Sequence, residues 1–190
     1  MEEDKYKSKY RVSSARLNGW DYGSHGLYFV TICTKDRIPY FGEIVKNLNP
    51  APETPETQSI ASLQKSEIGE VAFNNWLSIP AYHPYVELDE FVIMPDHVHG
   101  ILFLNRPEKS DWQPNKFGSQ SQNLASIIRG YKASVKQFAT LNGIEFGWQP
   151  RYYDRVIRNE KEHQGICGYI YDNPDNWLLK GDDLENLYNL

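Results

Sequence analysis

Apolar positions recur along this chain with two distinct periods. Leu27 to Thr34 (LYFVTICT) is dense in β-branched and aromatic residues and predicts a strand. Glu87 to Met94 predicts a second strand and His97 to Leu104 a third, with Pro95 and Asp96 as the tight turn between them. Tyr152 to Ile157 predicts a short fourth. The helical period falls between these runs. Ile68, Val71, Ala72 and Trp76 place a helix over Ser66 to Leu77, stopping before Pro80. Leu124, Ile127, Ile128, Tyr131, Val135 and Phe138 mark an amphipathic helix over Leu124 to Leu141, with a basic opposite face. Asn159 caps a last helix, with Glu162 as its capping-box partner, and Pro174 is expected to end it. Two polar stretches, 47–64 and 105–122, carry prolines and predict loops. The order strand, helix, strand, strand, helix, strand predicts an α+β fold: a ferredoxin-like split βαβ antiparallel sheet with helices packed on one face.

At 190 residues the chain is one domain of ordinary size, with 40% hydrophobic and 24% charged residues, so neither disorder nor a fibre is expected. Cys33 and Cys167 are too far apart in sequence for a CxxC pair, and two cysteines make no disulfide framework. No apolar run is long enough to span a bilayer, and the N-terminus lacks an apolar leader. A cytoplasmic protein with no membrane partner is expected.

Net charge changes the picture only when it is divided. The total of −5 argues against holding nucleic acid by bulk positive charge. Yet the N-terminal arm, 1–20, carries Lys5, Lys7, Lys9, Arg11 and Arg16, with no acid between Lys5 and Arg16. Arg129, Lys132 and Lys136 stand at helical spacing on one face, and Arg151, Arg155 and Arg158 flank the last strand. Each cluster read alone is a solvated face; together they are candidate contacts for phosphates. Trp148, Tyr152 and Tyr153 are candidates either for stacking on unpaired bases or for core packing.

Two constellations carry candidate chemistry. On a strand, residues two apart share a face, so His97 and His99 project together while Val98 points into packing. Such a pair can converge on one metal ion, or be two unrelated polar residues on an open face. Gly100 follows, where a backbone or ligand could approach closely. On the last helix Tyr169 and Asn173, four apart, share a face, and Tyr171 points away. If a tyrosine works beside an amide, spacing selects Tyr169; otherwise Tyr169 is a half-buried helix residue and Asn173 only the residue before proline.

Together these motifs resemble the HUH single-tyrosine transposases, most closely the REP-associated tyrosine transposases. The resemblance runs through LNGWDYGSHGLYFVTICTKDR, MPDHVHGILFL, LASIIRGYKASVKQFA, WQPRYYDRVIRNEKE and GYIYDNPDNW, nearly the whole chain. It departs at 47–64, which stands as an insertion, and at Trp20, where the family usually has tyrosine. The resemblance implies the HUH nuclease fold, with His97 and His99 as the histidine pair, Tyr169 as nucleophile and Asn173 as third metal ligand. It implies cleavage of single-stranded or hairpin (repetitive palindromic) DNA and strand transfer through a 5′-phosphotyrosine, by a monomer or a homodimer. Two nitrogens and an amide oxygen suit Mg2+ or Mn2+ in use, although softer ions bind such a set more tightly. The competing expectation is a non-catalytic, regulatory hairpin-binding protein on the same fold. A hydrolase of small phosphoesters would use the histidines but leave Tyr169 and the basic stripe without a task.

Overall fold

The structure, a computed structural model, describes residues 20–46, 61–106 and 122–180. The elements run β1 (Gly26–Cys33), β2 (Gly42–Lys46), β3 (Ala61–Lys65), α1 (Glu67–Leu77), α2 (Ile79–Tyr82), β4 (Val86–Met94), β5 (His97–Leu104), α3 (Leu124–Leu141), β6 (Tyr153–Ile157) and α4 (Glu160–Lys180). The main sheet has the order β4-β5-β1-β6, and every neighbouring pair is antiparallel. β1 and β4 therefore run parallel with β5 between them, and α1 lies on the crossover. This is the expected split βαβ arrangement.

Strand alternation divides the sheet into two faces. Tyr28, Val30, Ile32, Val98, Leu102 and Leu104 face the larger core, which α1 and α3 close with Ile68, Ala72, Trp76, Ile127, Ile128, Tyr131 and Val135. Trp76 packs so closely over β5 that a Cβ on Gly100 would lie 2.3 Å from its ring. The close approach expected at Gly100 is thus made by an indole. Trp148, half-buried, also joins this core beside Phe41 and Phe146. Core packing, not base stacking, accounts for it, and Tyr152 packs there too.

Three expectations need correction. The helices do not all lie on one face: α4 covers the other, where Phe29, Ile101 and Ile157 meet Ile166 and Ile170. An apolar run as continuous as LYFVTIC has no polar face to leave in water, so both sides are covered. Secondly, Pro174 does not end α4, which continues to Lys180. Proline removes the bond to the Ile170 carbonyl but leaves the next turn intact when packing holds it; here Trp177 packs against His97. Thirdly, the loop 47–64 is shorter than expected, because residues 61–64 form β3 and pair with β2 as a two-stranded sheet. Residues 47–60, 107–121 and the arm 1–19 lie outside the described residues. Among the described residues, no helix is long and apolar enough to cross a membrane.

Candidate active site

The site lies on the sheet face beneath α4, and register assembles its floor. In the β1–β5 ladder His99 stands opposite Thr31 and His97 opposite Cys33. His97 and His99 project from one side of β5, ring centroids 4.4 Å apart, while Val98 enters the opposite core. Cross-strand pairing then supplies a partner for His99, and the turn before β5 supplies one for His97. Thr31 Oγ1 is 2.9 Å from His99 Nδ1. Asp96, in the turn that enters β5, accepts from His97 Nδ1 at 2.7 Å. Its other oxygen pairs with Arg37 Nε at 2.9 Å. A carboxylate on Nδ1 fixes the tautomer, so the His97 Nε2 lone pair points into the site. That Nε2 is buried and has no hydrogen-bond partner among the described residues.

The roof is one face of α4. Asn159 Oδ1 starts the helix by accepting from the Glu162 N–H at 2.9 Å. The Glu162 carboxylate reaches back to the Arg158 N–H and to Arg155 Nε, at 3.0 and 2.6 Å. Positions 169, 173 and 177 follow at i, i+4 and i+8 and stack along one stripe. The Tyr169 hydroxyl is 3.3 Å from His99 Nε2. Asn173, buried, lies close enough to His97 for its side chain to favour the charged imidazole, although burial dominates. Trp177 caps the His97 ring at 6.1 Å. Tyr171 points outward and is 43% exposed. The structure brings together all four residues singled out in the sequence motifs. Thr31, Arg37, Asp96 and Trp177 were not among them. The signal for Asp96 was its place directly before His97; Thr31 and Arg37 needed the strand register.

Electrostatics set the imidazoles up as ligands. Burial holds the pKa of both well below the ordinary histidine value; Arg37 adds to this at His97, as do His97 and Arg37 at His99. Both rings are therefore neutral, the form in which imidazole binds metal. Burial pushes the Asp96 carboxyl up to about 6, against the pull of Arg37, so it is mostly ionised at neutral pH. Two neutral imidazoles, one with an orphaned buried nitrogen, and an amide beside them fit a divalent cation.

The basic residues divide. Lys132 donates to the Gln149 and Arg151 carbonyls at 2.6 and 3.0 Å, and Lys136 to the Phe146 carbonyl at 2.6 Å. Both fasten the segment that leads into β6. Arg155 is paired with Glu162. Arg129, Arg151 and Arg158 are exposed. Lys5, Lys7, Lys9, Arg11 and Arg16 lie outside the described residues.

No family model matches the chain. It is 35% identical over 175 residues to an uncharacterized protein of Haemophilus influenzae, covering 86% of this chain and 88% of that one. It is 33% identical over 99 residues to the REP-associated tyrosine transposase of Escherichia coli, covering 51% of this chain and about half, 50%, of that protein's length. Among solved structures, one of a REP-associated tyrosine transposase bound to a REP hairpin superposes with a TM-score of 0.52. That match covers 87% of this chain and 74% of the other at 21% identity, and shows a shared fold.

Proposed function

We propose that the chain is a REP-associated tyrosine transposase: a metal-dependent single-stranded DNA endonuclease and strand transferase acting on hairpin DNA in the cytoplasm, a reading supported by its 33% identity over 99 residues to such a transposase. The observation that carries this reading is the Tyr169 hydroxyl set 3.3 Å from His99 Nε2, beside a second buried histidine. A divalent ion, Mg2+ or Mn2+, held by His97, His99 and Asn173 would polarise a nonbridging phosphate oxygen and neutralise the charge that develops on it. Asp96 and Thr31 hold the two imidazoles in orientation. Tyr169 is kept in place by the edge of Phe29, ring centroids 6.5 Å apart.

In the cleavage step the Tyr169 oxygen attacks phosphorus and the bond to the 3′ oxygen breaks. The phenol proton is lost and the leaving oxygen takes one up. The products are a 5′-phosphotyrosine and a free 3′-hydroxyl. One ester replaces another, so attack by a second 3′-hydroxyl reverses the step and joins strands with no external energy source. Arg129, Arg151 and Arg158, all exposed, would contact phosphates, with the N-terminal arm as a further source of positive charge.

Incubation with a labelled hairpin and Mn2+ tests this. A covalent protein–DNA adduct is expected, absent with Tyr169→Phe. An adduct that survives in the variant moves the nucleophile elsewhere. Hairpin binding with no adduct in the unaltered protein selects the non-catalytic, regulatory reading.

A further inference from the structure

A second cluster of potential ligands lies away from the histidine pair, where α4 meets β4. His163 and Cys167, four apart on α4, share a face, and Asp89 comes to them from β4. His163 Nε2 is 2.6 Å from Asp89 Oδ2 and 3.4 Å from Cys167 Sγ, and the three donor atoms lie within 4.8 Å of one another. All three residues are half-buried.

The chain aims Asp89 at this point. The β4–β5 register shifts between Leu88 and Phe91, and such an irregularity turns a side chain out of the regular alternation. The Glu90 N–H then holds Asp89 Oδ1 at 2.8 Å, leaving Oδ2 directed at the helix. Asp89, Glu90 and Glu160 surround the thiol with negative charge. A nucleophilic triad does not account for the geometry. A relay needs the acid on one ring nitrogen and the thiol on the other, whereas here both contacts fall on Nε2. Convergence of sulfur, nitrogen and oxygen on one point is what a metal ion requires.

We propose that Asp89, His163 and Cys167 form a second metal site, for Zn2+, which ties α4 to β4. Thiolate, imidazole and carboxylate are all zinc ligands, and the exposed side leaves a fourth position for water. On binding, the thiol proton is released to solvent, and an imidazole proton on Nε2 moves to Nδ1 or is released. The tie fixes the first half of α4, six and two residues before Tyr169.

The probe is the metal alone, added to the full metal-stripped chain. Co2+ is expected to give thiolate-to-metal charge-transfer absorption that saturates by two equivalents, one for each site, and is displaced by Zn2+. The band should vanish in Cys167→Ser and weaken strongly in His163→Gln, and it should persist in His99→Ala and Cys33→Ala. Absence of the band, or its loss with Cys33→Ala alone, overturns the proposal. A stability readout covers the folding of the variants: Zn2+ should raise the Tm of the unaltered protein and of His99→Ala, and leave Asp89→Asn and Cys167→Ser much less affected. An equal rise in all four overturns the proposal as well. Neither readout depends on DNA cleavage, so failure here is distinguishable from failure of the transposase reading.

Discussion

Asp96 accepts from His97 Nδ1 at 2.7 Å with one carboxylate oxygen and binds Arg37 Nε at 2.9 Å with the other. One buried carboxylate therefore orients an imidazole and neutralises the guanidinium that would otherwise repel a cation. Asp96→Asn removes the charge and weakens the hold on the tautomer. Loss of such an outer partner lowers metal affinity by about 10–100-fold, and Mn2+ titration calorimetry should read a loss of that size. Hairpin binding in the absence of metal should be retained. Unchanged Mn2+ affinity would take Asp96 out of the site.

The basic residues should separate by salt dependence. Arg129→Ala, Arg151→Ala and Arg158→Ala are each expected to flatten the slope of log affinity against log salt by about one unit for every phosphate left unneutralised. Lys132→Met should leave the slope nearly unchanged, since its ammonium is committed to two carbonyls. Its cost appears as stability, about 1 kcal/mol for the missing hydrogen bonds. Fluorescence anisotropy across a salt series, with denaturant melts of the same proteins, checks both halves.

Two glycine substitutions should act with opposite sign. At Gly100 a methyl group would meet the Trp76 ring at 2.3 Å. Overpacking of this kind costs about 1–3 kcal/mol, so Gly100→Ala should lower the unfolding midpoint clearly. Gly130 lies within α3 with open space where its Cβ would be. There alanine should stabilise by about 0.5–1 kcal/mol. Equal effects at the two positions would mean that Trp76 can swing aside.

Glu162 caps the helix that carries Tyr169 and also masks Arg155. Glu162→Gln should loosen the start of α4 and unmask the guanidinium. Tighter hairpin binding with a steeper salt slope is the expected result, measured by the same anisotropy series. Weaker binding would show that Arg155 acts only through its pairing.

Local signals carried most of the architecture. β5 and α3 have the bounds that their apolar periods predict, because strand alternation and helical spacing are unambiguous over HVHGILFL and LASIIRGYKASVKQFATL. Pairing across distance was not legible. Nothing near Thr31 announces His99, and nothing in α3 announces that Lys132 serves carbonyls of a later segment. Pro174 misled for a related reason: its local cost is real, but contacts of the following turn outweigh it. β3 was hidden in a polar stretch because only Ala61 and Leu63 of it turn toward the core, too few apolar positions to mark a strand. The shared face of Tyr169 and Asn173 followed from spacing, while their meeting with the histidines required α4 to cross the second face of the sheet.

His97 and His99 are 1% and 0% exposed beneath α4. In this arrangement a passing strand of DNA has no physical access to the imidazoles, however strongly its phosphates are attracted. Contact with them requires α4 to shift. On the proposed function, the burial of two histidines would act as a safeguard, because a site that stays shut cuts no strand that fails to open it. Discrimination would then lie in what persuades the helix to move, before any bond is broken.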